Sequence, residues 1–188
     1  TAYEISECLV GSEMCIRERK MSDPYYLSRL TRMNNRLLET IEANKKKKGY
    51  TVNESGEVKD EDLFYSITSK FKGKVILVDF WATWCGPCKM AMKQMKPMKK
   101  DLEGKDIVYV FIAGENSPKE TWDNMIPDIH GEHYRVTAAQ WNYLSKQFSI
   151  QGVPTYIIVD KEGGIIQKYT GFPGVDTVKK ELIKALEK

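Results

Sequence analysis

The chain has 188 residues, 41% of them hydrophobic and 29% charged, with a formal net charge of +3. That is the composition of a globular protein long enough to bury a core, and the charge is too small to argue for a nucleic-acid partner. No apolar run approaches the roughly 18 residues that a membrane span requires.

Residues 1–48 read as a mostly helical lead. Asp23-Pro24 is a helix start, with Asp as N-cap and Pro in the first turn, and Leu27, Leu30, Leu37, Leu38 and Ile41 follow at helical spacing. The run Lys45 to Lys48 is offset by nearby acids and reads as a solvated helix end, with an anionic-lipid patch as the alternative. Cys8 and Cys15 are too far apart for a disulfide within one continuous helix, but Gly11-Ser12 could break that helix and permit a bridge. The sequence begins at Thr1, as a trimmed mature form would, so the lack of a leader carries no weight. Gly49 to Asp62 is polar, with Asn53, Ser55 and Gly56, and predicts a connector, with a short hairpin as the alternative.

Leu63 to Phe71 leads through the turn Lys72-Gly73-Lys74 into the apolar strand Val75 to Ala82. Trp84-Cys85-Gly86-Pro87-Cys88 follows, and then helical periodicity from Lys89 to Leu102. Ile107 to Ile112 is an uninterrupted apolar run, as expected of a parallel strand covered on both faces. Ser117-Pro118-Lys119-Glu120 and Thr137-Ala138-Ala139-Gln140 predict two capped helices. Tyr156 to Val159 and Ile165 to Tyr169 flank Asp160-Lys161-Glu162-Gly163-Gly164 as a hairpin, and Val178, Leu182, Ile183 and Leu186 mark a last amphipathic helix.

Two cysteines two residues apart at a strand-to-helix junction can close and reopen a small disulfide. The partial positive charge of the helix start favours a thiolate there. Half a zinc site is the other use of such a pair, but His130 and His133 are too few to complete a convincing ligand set. Cys85 comes first, beside Trp84 and Gly86, and is the expected nucleophile; Cys88, one turn in, is the expected resolving thiol. Pro87 stiffens the loop without costing a needed hydrogen bond. Asp79, a carboxylate inside an apolar strand, should have a raised pKa suited to accepting the Cys88 proton; a local capping role is the alternative. Met92, Met95 and Met98 line one helix face as core filling or, less conventionally, as thioethers for Cu(I).

The segment Val78 to Lys89 resembles the active-site segment of thioredoxin. Gly152-Val153-Pro154-Thr155 is similar to the loop that carries a cis-proline in that superfamily, Gly163-Gly164 to its hairpin turn, and Gly171 to the glycine near the far end of the last two strands. The long stretch between Ala113 and Phe148 resembles the insertion of TlpA/ResA-like thiol–disulfide oxidoreductases of bacterial envelopes. The resemblance implies an α/β thioredoxin-like fold: a central mixed sheet flanked by helices, an inserted helical segment at about 114–147, and a helical N-terminal extension. The implied division is extension and linker over 1–59 and the thioredoxin-like domain over 60–188. It implies that Trp84, Gly86, Pro87, Val153, Pro154 and Gly171 form the client contact surface, the Val153 backbone being presented to an extended peptide. The acidic Asp79 matches thioredoxin, whereas many TlpA/ResA-like proteins carry a neutral residue there. The family's helix-kinking proline is replaced by Lys93, with a proline at Pro97 instead.

The implied activity is dithiol–disulfide exchange on protein clients in the periplasm or envelope. A membrane thiol donor would re-reduce it, the full-length protein would be tethered to the membrane, and no cofactor or metal beyond the Cys85–Cys88 disulfide is needed. A thiol peroxidase and a copper carrier using Cys85 and Cys88 are the alternatives; the chain lacks the peroxidatic Pro-x-x-x-Thr at this site. Trp122, Tyr134 and Trp141 either anchor partners or pack the insertion onto the sheet.

Overall fold

The computed structural model describes residues 24–56 and 58–187. Cys8, Cys15 and the cap Asp23 lie outside the described residues, so neither the bridge nor the cap is addressed by it. The chain divides into two compact units after Lys46. The described part of the first unit is one helix, α1 (Pro24–Lys45), opened by Pro24 as the sequence predicts.

The second unit holds a six-stranded sheet made of β1 (Tyr50–Asn53), β2 (Val75–Trp81), β3 (Ile107–Gly114), β4 (Gly131–Val136), β5 (Thr155–Val159) and β6 (Ile165–Thr170). The strand order is β1-β4-β3-β2-β5-β6. The first four in that order are mutually parallel, and β5 and β6 add antiparallel partners, giving the expected mixed sheet. The helices are α2 (Leu63–Thr68), α3 (Gly86–Asp101), α4 (Lys119–Met125), α5 (Ala138–Gln147) and α6 (Val175–Leu186).

Alternation along β2 explains the layering. Ile76, Val78 and Phe80 pack with Leu63 and Ile67 of α2 and Leu144 of α5. On the other face, Val75 and Leu77 pack with Met95 and Met98 of α3 and with Val178 and Leu182 of α6. The three methionines at 92, 95 and 98 are buried, which assigns them to core filling. Every residue of β2 is buried, as a central strand covered on both faces must be. Pro97 sits inside α3, where its missing N–H deprives the Lys93 carbonyl of its usual donor.

Two segments differ from expectation. The stretch read as a connector contains β1, whose residues pair in register with Gly131 to Tyr134, so the sheet begins ahead of residue 60. The stretch read as a helical insertion contributes β4, which lies between β1 and β3. Four residues are too few for alternation to show, and the charged Glu132 and Arg135 mask β4; both strands are defined by their neighbours. Trp122 and Tyr134 are 2% and 0% exposed, so they pack the stretch onto the sheet and cannot anchor a partner. Trp141 stacks against Gly114, where a Cβ would come within 3.0 Å of its indole.

Gly131 enters β4 at φ +143°, and a Cβ there would lie 2.5 Å from the Tyr109 carbonyl and 2.8 Å from the Phe111 ring. Backbone cannot yield as a flexible side-chain end can. Gly131→Ala is therefore expected to cost roughly 2–4 kcal/mol in chemical denaturation; a loss under about 0.5 kcal/mol would show that β4 shifts freely.

Candidate active site

The site is built where β2 ends and α3 begins. After Trp81 the chain turns through Ala82 and Thr83, the Cys85 N–H donating to the Ala82 carbonyl at 3.0 Å. Cys85 is the N-cap of α3, and its Sγ accepts the backbone N–H of Cys88 at 3.1 Å. A sulfur in the cap position receives one of the donors that a helix start leaves free, together with the positive end of the helix dipole. Pro87 occupies the first turn, where no N–H is needed. Cys85 and Cys88 form a disulfide with Cα atoms 5.3 Å apart.

The peptide Val153–Pro154 is cis. The Val153 carbonyl lies 3.6 Å from the Cys85 Sγ. The Gly171 N–H donates to the Pro154 carbonyl at 2.8 Å, and Gly171 holds φ +80° with open space where a Cβ would stand. The structure thus brings Cys85, Val153, Pro154 and Gly171 together. Trp84 projects beside them, 61% exposed, while Trp81 is fully buried and serves packing.

Asp79 lies on the β2 face that α3 covers, two residues from Trp81, which shares a buried cluster with Cys85 and Cys88. It is buried, and neither carboxylate oxygen has a hydrogen-bond partner among the described residues. Burial pushes its pKa from 3.8 up to about 8, against the opposing pull of the Lys99 ammonium and of Tyr156. Tyr156 is its cross-strand partner on β5, and burial with the nearby carboxylate raises its own pKa. Neither carboxylate oxygen caps a local backbone group among the described residues.

The sequence gives little hint of Lys99. Its ammonium stands 4.2 Å from the centre of the Tyr109 ring and 4.7 Å from that of Phe111, the β3 residue paired with Asp79, and donates to the His130 carbonyl at 2.6 Å. Burial lowers its pKa from 10.5 to about 8, although Asp79 pulls it upward. His133 extends the same row on β4. It stacks on Phe111 at 4.9 Å, Nε2 sits 2.7 Å from the Ile129 carbonyl, and burial lowers its pKa to about 4. It is a structural histidine. Among the described residues no three His, Cys, Asp or Glu side chains cluster as metal ligands.

Ser117 was expected to cap α4. Its hydroxyl instead accepts the Thr83 N–H at 3.1 Å, tying the end of β3 to the active-site loop, and α4 starts without a side-chain cap. Arg135 holds the same turn by donating to the Ser117 carbonyl at 3.0 Å. The capping box at Thr137 and Gln140 forms as expected.

A family model of thioredoxin-like proteins matches residues 73–165, which hold the disulfide, Asp79 and Pro154. A thioredoxin of Staphylococcus aureus is 33% identical over 118 residues, 63% of this chain and 88% of that protein. The chain belongs to the thioredoxin family. Among solved structures, the thioredoxin domain of a thiol-disulfide oxidoreductase from Bacteroides vulgatus superposes with a TM-score of 0.54 at 25% identity, over 61% of this chain and 83% of that one. A thiol:disulfide interchange protein from Chlorobium tepidum shares the fold, with a TM-score of 0.56 at 24% identity over 63% and 84% of the two chains. As a thioredoxin-family protein with a Cys-x-x-Cys disulfide, it is a member of the thiol–disulfide oxidoreductases.

Proposed function

We propose that this protein reduces disulfides of protein clients in a bacterial cell envelope and is itself re-reduced by a membrane thiol donor. The observation that carries the reductase reading is the position of Cys85 as helix cap, its sulfur accepting the Cys88 N–H and facing the cis-Pro154 loop. In the dithiol form the same N–H and dipole stabilise a thiolate at Cys85. The thiolate attacks one sulfur of a client disulfide, forming a mixed disulfide and expelling the other client sulfur as thiolate. Cys88 then loses its proton to the Asp79 carboxylate and attacks the Cys85 sulfur. The second client thiolate leaves, and the Cys85–Cys88 disulfide of this structure is restored.

Trp84, Gly86, Pro87, Val153 and Gly171 surround the attacking sulfur as the client surface, with the Val153 backbone offered to an extended strand. The envelope setting rests on the TlpA/ResA-like character of the stretch between β3 and β5.

Equilibration of Cys85–Cys88 with glutathione tests the direction. A potential near that of thioredoxin, about −270 mV, is expected. A value near −120 mV, that of a strong oxidant, would replace reduction by disulfide insertion.

A further inference from the structure

A cleft of about 920 Å³ runs along the flank of α3, beginning at Lys89, the residue after Cys88. Its floor is apolar and aromatic: Ile107 and Tyr109 of β3 are partly exposed there, over the buried Met92, Met95 and Phe111. Lys99 is fixed across those rings and tied to the His130 carbonyl, so the floor is held in place. Met125 and Ile129 form the facing wall.

The rim is charged on one side. Lys89, Lys93, Lys96 and Lys100 recur at i, i+4, i+7 and i+11, which puts them in one stripe along the helix, spanning roughly 16 Å. All four are exposed, and none joins an ion pair among the described residues. Of the acids in the lining, Asp128 pairs with Lys47 at 2.6 Å, and Glu132 accepts a hydrogen bond from the neutral Asn53 at 2.8 Å and keeps its charge. Glu103, at the far end, is the remaining acid of the lining. Six lysines against three acids leave the lining net positive above an apolar trough, and Lys89 at its near end directly follows Cys88 in α3.

We infer that this cleft binds an acidic, apolar-containing peptide segment of the client, docking it alongside α3 while its disulfide meets Cys85. The segment places its apolar side chains on the partly exposed Ile107, Tyr109, Met125 and Ile129 and its carboxylates against the lysine stripe. A concave trough with an aromatic floor suits a peptide chain better than a flat layer of lipid headgroups. The assignment of the occupant as a client rests on the reductase reading above.

The test uses the oxidised protein and a fluorescein-labelled, cysteine-free peptide of alternating Glu and Leu or Phe, followed by anisotropy. Lys93→Glu/Lys96→Glu should weaken binding at least about tenfold, whereas the charge-matched pair Lys180→Glu/Lys184→Glu on α6 should leave it within about twofold. Equal losses in the two variants, equally tight binding of a Glu/Ser or a Lys/Leu peptide, or no saturation at millimolar protein would overturn the inference. So would phosphatidylglycerol vesicles binding through the same lysines while the peptide does not, which would make the stripe a membrane surface.

Turnover then separates the two readings. A disulfide with acidic, apolar flanks should be reduced with a kcat/KM at least about fivefold above one with neutral flanks, and the advantage should vanish in Lys93→Glu/Lys96→Glu. Peptide binding without that advantage would remove the client from the cleft. Failure to reduce even the neutral disulfide would sink the reductase reading instead, and anisotropy, which needs no turnover, would still decide the cleft.

Discussion

Cys85→Ser is expected to lower kcat/KM for insulin disulfide reduction by at least about a thousandfold, while Cys88→Ser keeps the attacking thiol and accumulates mixed disulfides. The two sulfurs are only three residues apart, but their surroundings differ. The Cys85 sulfur occupies the cap position, receives the Cys88 N–H at 3.1 Å and lies 3.6 Å from the Val153 carbonyl, next in sequence to the exposed Trp84. Both cysteines belong to the buried cluster of Trp81, Met92 and Phe111, Cys85 at 3% exposure and Cys88 at 0%. The exposed Trp84, Gly86 and Pro87 around the cap make Cys85 the sulfur that an incoming disulfide meets, and Cys88, one turn deeper, then attacks the Cys85 sulfur of the mixed disulfide. Alkylation of the reduced protein at neutral pH, followed by mass spectrometry, should label Cys85 first. Faster labelling of Cys88 would reverse the assignment.

Asp79→Asn should slow release of the mixed disulfide roughly 10- to 100-fold near pH 7, because Cys88 then loses the carboxylate that takes its proton. In the native protein the release rate should climb as pH rises through about 8, where Asp79 ionises; that inflection should be missing from the variant. An unchanged rate and profile would reduce Asp79 to a structural residue.

Stability should move the other way. The folded state holds the Asp79 proton up to about 8, whereas the unfolded chain releases it near 3.8. Between those values the folded protein binds more protons, so the contribution of Asp79 is fully present below 3.8 and is lost as pH rises through about 8. Asparagine escapes that loss. The gain of the variant over the native protein should grow by up to about 1.4 kcal/mol per pH unit across this window and then level off. His133, neutral in the fold with its pKa lowered to about 4, destabilises both proteins as pH falls below 6.5, so it cancels in the difference. Denaturant melts of the two proteins at pH 5 and pH 8.5 measure the change. A constant difference would mean that Asp79 is ionised in the fold throughout.

Much of this site was readable in the order of residues because its chemistry is local. A cysteine pair at the mouth of a helix, a proline placed where its missing N–H does no harm, and a carboxylate inside an all-apolar strand are all patterns within about ten consecutive residues. The hairpin at Asp160 to Gly164 and the capping box at Thr137 and Gln140 are local too, and both form as read. Ser117 shows the limit of such patterns. Ser-Pro-Lys-Glu reads as a helix cap, yet the end of β3 delivers that hydroxyl to the Thr83 N–H, a partner that local spacing cannot announce.

Which sulfur comes first, which carboxylate lies inside the apolar strand, and the alternation that sets the two faces of β2 all follow from the order of residues. The other features depend on the folded arrangement. It set Lys99 over the ring that neighbours Asp79, turned Trp122 and Tyr134 into core, and recruited β1 and β4 to the sheet. The reason is physical: strand alternation and helix capping act between near neighbours, whereas burial, charge coupling and strand pairing depend on groups that meet only when the sheet assembles.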